Sequence, residues 1–160
     1  MKHDRSDVPA ILFLCLGNIC RSPLAEGAAR AAFAEAGIAA RLDSAGTGDW
    51  HVGKAPDPRA KAEARRRGTD IGALCARQLV AADFRHFDLI LAADTQNLRD
   101  ARAIRPSDAT GELMLMLDLV PGRAGESVVD PYYGDEGGFA ATWADVSAVA
   151  SALVSKFSSR

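Results

Sequence analysis

Residues 15–23, CLGNICRSP, follow the apolar run AILFL (residues 10–14) and precede the alanine-rich stretch LAEGAARAAFAEAG (residues 24–37). The apolar run has the length of a buried strand, whereas the alanine-rich stretch is long enough for a helix. Gly17 permits a tight turn between them, and Pro23 suits the first turn of a helix. The stretch therefore predicts a strand, a turn and a helix, which is the repeating unit of an α/β fold.

Short apolar runs continue to alternate with longer alanine-rich segments along the rest of the chain. This alternation predicts a single α/β domain with a mainly parallel sheet. The predicted strands are residues 10–15, 39–44, 89–92 and 113–115, and the predicted helices are residues 22–36, 58–67, 81–84, 96–103 and 139–157.

Two irregular sections, residues 45–57 and 121–138, are rich in glycine. Loops of this length in a compact domain are usually functional or mobile. In open α/β sheets ligands bind beyond the carboxyl ends of the strands, and the first predicted strand ends at Cys15. We therefore expect a site next to Cys15, with both long loops within reach of it.

Composition and charge limit the possible classes of protein. The chain has 160 residues, of which 48% are hydrophobic and 25% charged, as in a soluble globular domain. The net charge of −2 argues against a general basic surface, so no nucleic-acid partner is expected. No segment approaches the roughly 20 apolar residues of a membrane span, so no membrane partner is expected.

The N-terminus and the cysteines bear on where the protein resides. Residues 1–18 combine basic residues with an apolar run, but the run is short and lacks a clear small-residue cleavage site, so it does not predict a secretory signal. Three cysteines do not make a disulfide framework, which favours a cytoplasmic protein. We expect one domain over residues 1–160, with residues 1–8 as a loose extension, and a monomer or weak dimer.

The turn at CLGNICRSP has the residues of a phosphoryl-transfer site. Unpaired N–H groups and the helix dipole make the start of a helix an anion site. The same positive field favours the thiolate form of Cys15, and Arg21 can present a planar fork to two phosphate oxygens. Ser22 is predicted to cap the helix. Nucleophile, anion cradle and arginine clamp thus come from neighbouring residues.

Other interpretations of the two cysteines remain open at this point. A structural cysteine at a strand end is common, and a lone Cys-x5-Arg pattern arises frequently by chance. A zinc site is disfavoured, because Cys15 and Cys20 are five residues apart, Cys75 is distant and no paired histidines accompany them.

The chain resembles the low-molecular-weight protein tyrosine phosphatases over nearly its whole length. The resemblance implies a single domain with a central four-stranded parallel sheet flanked by helices on both faces. It also implies hydrolysis of phosphotyrosine and small aryl phosphates through a cysteinyl-phosphate intermediate, with no metal or other cofactor. It rests on CLGNICRSP, DSAGTGDWHVGKAPDPRA (residues 43–60), ARQL (76–79), FDLILAAD (87–94) and DPYYG (130–134).

The resemblance assigns Cys15 as the nucleophile, Arg21 as the phosphate clamp and Asp130 as the general acid. Ser22 would donate a hydrogen bond to the Cys15 thiolate. These roles agree with the chemistry, because a phenolate leaving group needs a proton and a carboxylate can then activate water. From spacing alone, Asp130 is equally well explained as a turn residue before Pro131.

The resemblance implies further site residues. Trp50 is expected at the rim of the site, with a buried anchor as the alternative, and Asp94 is expected to bind Arg21, with a helix cap as the alternative. In relatives Cys20 can form a reversible disulfide with Cys15, although a small apolar filler is the simpler interpretation. Leu74 departs from the pattern, since many relatives have a histidine there. The phosphate-binding and substrate-binding set is Leu16, Gly17, Asn18, Ile19, Cys20, Ser22, Trp50, Tyr132 and Tyr133, and the residues supporting the loop are Asn18, Ser44 and Asp94.

Three other functions are known or conceivable on the same scaffold, and the residues disfavour each of them. Arsenate reductases need two further cysteines close together, and only Cys75 follows the loop. Arginine phosphatases typically have a threonine where Ile19 stands. A non-catalytic phosphotyrosine-binding module would not require both Cys15 and Asp130. The residues favour a phosphotyrosine-containing protein as substrate, with phosphate or another oxyanion in the loop.

Overall fold

The first strand, β1 (Ala10–Cys15), lies inside a four-stranded parallel sheet and is buried along its whole length. The computed structural model describes residues 8–132, 134 and 136–158. The strand order is β2–β1–β3–β4, with β2 at Arg41–Gly46, β3 at Leu89–Ala92 and β4 at Glu112–Leu115. The predicted four-stranded parallel sheet is confirmed.

Five α-helices in the described part of the chain cover the two faces of this sheet. Ile11 and Phe13 belong to a core that includes residues of α1, α2 and α5, whereas Leu12 and Leu14 face a second core with residues of α3 and α4. This alternation is what a strand covered on both faces requires. The helices are α1 (Arg21–Ala36), α2 (Pro58–Arg66), α3 (Asp83–His86), α4 (Thr95–Ile104) and α5 (Glu136–Ser158), and a 3₁₀ helix spans Met116–Leu119.

The start of α1 differs from the sequence prediction. The helix begins at Arg21, so that Cys20 occupies the N-cap position and makes no side-chain capping hydrogen bond. The predicted cap by Ser22 is wrong, because its hydroxyl group is bonded to Asn18 and Cys15 instead. The strand β2 and the helix α3 each begin two residues later than predicted.

The last helix is longer and more apolar than the sequence prediction allowed. Within α5, the 22 residues Gly137–Ser158 contain an 18-residue stretch with a mean hydropathy of 1.2, which meets the length and composition of a membrane span. The prediction that no segment approaches a span is therefore wrong. In this fold one face of α5, with Phe139, Val146 and Leu153, is buried in the core beside α1. The absence of a membrane partner stays a prediction.

The parallel arrangement brings the functional segments to one edge of the sheet. The strands β1 and β2 end side by side, with Cys15 paired with Gly46. The strand β3 ends next to them, and Ala93 N–H donates a hydrogen bond to the carbonyl group of Leu14 at 2.9 Å. Val128 lies in the second irregular section, of which residues 121–132 are called the late loop below, and its N–H donates to the carbonyl group of Ala93 at 2.7 Å. Both long irregular sections therefore reach the end of β1.

Candidate active site

Residues 16–20 form the β1–α1 loop, in which hydrogen bonds with neighbouring segments orient three peptide groups in the same way. Their N–H groups donate no hydrogen bond to another residue within the part of the chain that the structure describes. The carbonyl groups along the outside of the loop accept hydrogen bonds from neighbouring segments, so the N–H groups of the same peptides turn inwards. Such a ring of unpaired N–H groups at the start of a helix binds anions. The outward carbonyl groups are those of Cys15, Leu16 and Ile19, which accept from Thr47, Gly48 and Asp57, each at 2.9 Å.

The Cys15 thiol lies at the entrance to this loop and contacts the Ser22 hydroxyl group. The distance from Cys15 Sγ to Ser22 Oγ is 3.0 Å. Asn18 Nδ2 donates to the same Ser22 oxygen at 2.8 Å, so the hydrogen of Ser22 is left to point towards sulfur. This arrangement stabilises negative charge on Cys15.

The side chain of Asn18 supports the loop by hydrogen bonds to neighbouring segments. Its φ of 59° is left-handed, a conformation that asparagine tolerates better than most residues. Its Nδ2 donates to Ser44 at 2.9 Å as well as to Ser22, and its Oδ1 accepts the N–H of Arg77 at 3.0 Å. The side chain thus joins the loop to β2 and to the segment after α2, which holds the curvature of the loop.

Arg21 is buried under the loop, with 2% of its surface exposed. Its Nη1 donates to Asp94 Oδ2 at 2.8 Å and to the carbonyl group of Val128 at 2.9 Å. Burial disfavours the charged form, but the nearby Cys15, Asp94 and Asp130 outweigh it and raise the pKa of Arg21 above its ordinary value. The guanidinium group therefore stays cationic beside the thiol.

Asp94 fulfils both of the interpretations that the sequence left open. One carboxylate oxygen binds Arg21, and the other accepts the N–H of Asn97 at 2.7 Å, which caps α4. The cap fixes the carboxylate, and the carboxylate in turn orients the arginine fork.

Asp130 reaches the same guanidinium group from the late loop. Its Oδ2 lies 3.5 Å from Arg21 Nη2, and 37% of its side chain is exposed. Its Oδ1 accepts the N–H of Tyr132 at 3.0 Å, which closes a tight turn over Pro131. Asp130 therefore combines the turn expected from the sequence with a position next to Arg21.

Cys15, Arg21 and Asp130 line one open cavity of about 390 Å³. Trp50 lies at the rim with 66% of its surface exposed, so the alternative of a buried anchor is wrong. Its ring folds back over Gly48, where any Cβ would overlap it. The other residues lining the cavity are Leu16, Gly17, Ile19, Cys20, His51 and Tyr132.

The family model described as low molecular weight phosphotyrosine protein phosphatase matches residues 10–159. The chain belongs to this family. A low molecular weight phosphotyrosine protein phosphatase of Schizosaccharomyces pombe is 43% identical over 132 residues, which cover 81% of this chain and 84% of the relative.

Solved structures of the low molecular weight phosphatase family share the whole fold. A protein tyrosine phosphatase from Entamoeba histolytica, crystallised with Hepes in the active site, is 31% identical, has a TM-score of 0.88 and matches over 94% of this chain and 97% of its own. A Drosophila arginine phosphatase is 28% identical, with a TM-score of 0.86 over 92% of this chain and 96% of its own. Proteins named for different phosphorylated residues therefore share this fold.

The sequence prediction missed His51 and Arg59 in this phosphatase. His51 stacks obliquely on the Tyr132 ring, with ring centroids 6.4 Å apart, and a Cβ at Gly17 would lie 2.8 Å from its Cδ2. Arg59 Nη2 donates to the carbonyl group of Tyr132 at 2.9 Å. Both residues lie in the segment 43–60, on which the resemblance partly rests, and this position alone could have suggested a role for them in the site.

Leu74, where many members of the family have a histidine, packs as a partly buried side chain against the core. It lines a surface groove together with Arg30 of α1. Arg30 binds the buried carboxylate of Glu26 at 3.0 and 2.6 Å. Burial raises the pKa of Glu26, and the hydrogen bonds from Arg30 act in the opposite direction. Glu26, next to Ser44 of the loop support, thus takes its cationic partner from its own helix.

Two further predictions concern residues and groups near the phosphatase cavity. Tyr133, expected to line the cavity with Tyr132, lies outside the described residues. Within residues 8–132, 134 and 136–158, no three histidine, cysteine or acidic side chains are grouped as metal ligands. That catalysis needs no metal stays a prediction.

Proposed function

We propose that this chain is a protein-tyrosine phosphatase that hydrolyses phosphotyrosine and small aryl phosphates. One observation carries the proposal. The Cys15 thiol, the N–H groups of the β1–α1 loop, Arg21 and Asp130 meet in a single cavity. A nucleophile, an oxyanion cradle and a carboxyl group on the opposite side are the parts that hydrolysis of an aryl phosphate needs.

In the first step the Cys15 thiolate attacks phosphorus in line with the leaving oxygen. The loop N–H groups and the Arg21 fork bind the three equatorial oxygens, on which negative charge is held in the transition state. Asp130 donates its proton to the departing phenolate, so that a neutral phenol leaves. A cysteinyl-phosphate and an Asp130 carboxylate remain.

In the second step the Asp130 carboxylate removes a proton from water, and the water oxygen attacks phosphorus. The sulfur–phosphorus bond breaks, and the Cys15 thiolate leaves with its electron pair. The Ser22 hydroxyl group, 3.0 Å from that sulfur, stabilises the thiolate both before attack and on departure. Inorganic phosphate and the starting enzyme are the products.

Phosphotyrosine is favoured over phosphoarginine by the walls of the cavity. Ile19 lines the cavity with an apolar side chain, which offers no hydroxyl oxygen to accept a hydrogen bond from the guanidinium group of phosphoarginine. The exposed ring of Trp50 and the ring of Tyr132 offer faces on which a phenyl group can stack. The arsenate reductase alternative lacks its relay, because Cys75 is the single cysteine after residue 20.

Turnover of phenyl phosphate tests the proposal. Reduced protein is expected to release phosphate from phenyl phosphate between roughly pH 5 and pH 7, where the acid and the thiolate can coexist. Release from phosphoarginine at the same concentration is expected to be at least tenfold slower. Binding of phenyl phosphate without turnover would favour the non-catalytic module, and faster release from phosphoarginine would reverse the substrate assignment.

We also propose that Cys20 protects Cys15 from irreversible oxidation. Cys20 is buried, and its pKa is raised by that burial first and then by the charges of Asp57, Cys15 and Asp130. Cys15 is therefore the more reactive of the two cysteines towards peroxide. Peroxide converts the Cys15 thiolate to a sulfenic acid and releases hydroxide. The Cys20 sulfur then displaces that oxygen as water while losing its own proton. The resulting disulfide is reversed by an added dithiol.

Recovery after peroxide measures this protection. Wild-type protein inactivated by a short exposure to peroxide is expected to regain most activity with dithiothreitol, whereas Cys20→Ser regains much less. The matched control is Cys75→Ser, which removes an exposed cysteine and is expected to recover like the wild type. Equal recovery of all three proteins would leave Cys20 as a packing residue.

The proposed setting of the enzyme follows from its chemistry and charge. We propose a cytoplasmic monomer or weak dimer that acts on a phosphotyrosine-containing protein. A thiolate mechanism needs reduced cysteine, and the three cysteines are free. The net charge of −2 supports a protein substrate over a nucleic-acid partner.

A further inference from the structure

Arg59, at the start of α2, binds the segment that carries Asp130. Its Nη2 donates to the carbonyl group of Tyr132 at 2.9 Å, and its Nη1 lies 3.4 Å from the carbonyl group of Gly134. The guanidinium plane also covers two rings, 5.5 Å from the centroid of Tyr132 and 4.9 Å from that of Phe139. Arg59 thus holds the chain just after Asp130 by hydrogen bonds and by cation–π contacts.

Arg59 is itself held by Asp57 in a bidentate pair. Its Nε and Nη2 bind the two carboxylate oxygens of Asp57 at 3.1 and 3.0 Å. The same carboxylate caps α2 through the Arg59 N–H at 2.8 Å, and only 9% of the Asp57 side chain is exposed. A planar fork held at both oxygens has little freedom to rotate, so the far edge of Arg59 is fixed in direction.

Asp57 connects this pair to the β1–α1 loop. Its N–H donates to the outward carbonyl group of Ile19 at 2.9 Å. A continuous path therefore runs from the anion cradle through Asp57 and Arg59 to Tyr132, two residues beyond Asp130. The path therefore joins the β1–α1 loop, which binds the phosphoryl group, to the late loop, which carries Asp130.

The other side of Asp130 is anchored separately. Val128 N–H donates to the carbonyl group of Ala93 at 2.7 Å, and its own carbonyl group accepts from Arg21. The buried Thr142 hydroxyl group donates to Gly138 at 2.9 Å and lies 3.4 Å from the carbonyl group of Val129. These contacts fix the chain before Asp130 and leave the turn after it to be set from Tyr132. Arg59 contacts both the backbone carbonyl group and the ring of Tyr132, whereas His51, next to Gly17, contacts the ring.

We propose that Arg59 is a positioning residue that sets the distance between the Asp130 carboxyl group and the leaving oxygen. The proposal rests on the function proposed above. A general acid must lie within hydrogen-bond reach of the atom it protonates, and a displacement of about 1 Å can cost a factor of 10² in rate. Lysine could pair with Asp57, but it lacks the fork that reaches Tyr132 at the same time.

The test compares two substrates that differ in their need for the acid. Arg59→Met keeps the length of the side chain and removes its donors. It is expected to lower kcat/KM for phenyl phosphate by roughly 10- to 100-fold, and for an aryl phosphate with an activated leaving group by less than threefold. Arg59→Lys is expected to lie between Arg59→Met and the wild type.

The same change in an Asp130→Asn background separates positioning from support of the fold. If Arg59 acts through Asp130, Arg59→Met is expected to cause no further loss with phenyl phosphate once the acid is gone. Arg67→Met is the matched control, because Arg67 follows the same helix and pairs with Glu63 at 2.8 Å, away from the late loop. It is expected to leave kcat/KM unchanged for both substrates.

Equal losses for the two substrates, or the same loss in the Asp130→Asn background, would overturn the inference, as would unchanged kinetics. If circular dichroism shows that Arg59→Met is unfolded, Arg59→Lys decides by the same comparison of substrates. Wild-type turnover is measured first. Its absence overturns the proposed function and this inference together, whereas turnover that is insensitive to Arg59 overturns only the inference.

Discussion

Replacing Cys15 by serine is expected to lower turnover of phenyl phosphate by more than about 10⁴-fold. A serine hydroxyl group stays protonated in this cavity and is a far weaker nucleophile towards phosphorus. Binding of inorganic phosphate is expected to persist, because the loop N–H groups and Arg21 are unchanged. It should even tighten slightly, since a negative thiolate no longer faces the dianion. Turnover and isothermal titration with phosphate measure the two effects.

Cys75→Ser is the matched control for this experiment. It makes the same chemical change at an exposed cysteine outside the residues lining the cavity, and is expected to turn over like the wild type. An active Cys15→Ser protein would contradict the nucleophile assignment. Loss of phosphate binding together with turnover would instead show that the thiol shapes the loop.

The fold could be predicted because its signals are local. The buried run of β1 and the glycine and proline that follow it determine a strand, a turn and a helix within about 25 residues. Boundaries were less certain where two local preferences compete. Ser22 is a good capping residue, but its hydroxyl group is hydrogen-bonded to Asn18 and Cys15 instead. These contacts depend on the thiol and on β2, because Ser44 of β2 holds the Asn18 side chain in place.

The candidate site divides in the same way. Cys15 and Arg21 could be found from their own turn, because the cradle, the nucleophile and the clamp are neighbours in sequence. Asp130 could not, since its contact with Arg21 depends on how the late loop crosses the sheet edge. Spacing alone explained it as a turn residue, and only the resemblance suggested an acid.

Arg59 shows why some contacts escape any sequence pattern. A basic residue after Asp57 and Pro58 at the start of a helix is ordinary, and its local pair with Asp57 could be expected. Its other partners are the backbone carbonyl group of Tyr132 and the ring of Phe139, which any sequence could offer. Such contacts follow from the packing of α2 against α5 and the loop before it.

Asp130→Asn is expected to lower kcat/KM for phenyl phosphate by roughly 10²- to 10³-fold, and far less for an aryl phosphate with an activated leaving group. Phenol resembles the tyrosine side chain, whose pKa is about 10, so its oxygen needs a proton to leave. The amide cannot supply one, but its Oδ1 can still accept the N–H of Tyr132 and keep the turn. A series of aryl phosphates with increasingly basic leaving groups measures the effect as a slope.

Asp94→Asn is the matched control, because Asp94 is the other carboxylate on Arg21 and asparagine also caps helices well. The substitution removes the negative charge that holds Arg21 in place. Arg21 binds the phosphoryl oxygens with every substrate, whatever its leaving group. We therefore expect a similar decrease in kcat/KM across the whole series for Asp94→Asn, and a decrease that grows with leaving-group basicity for Asp130→Asn. Parallel decreases in both variants would remove Asp130 as the acid and leave it, like Asp94, as a carboxylate that orients Arg21.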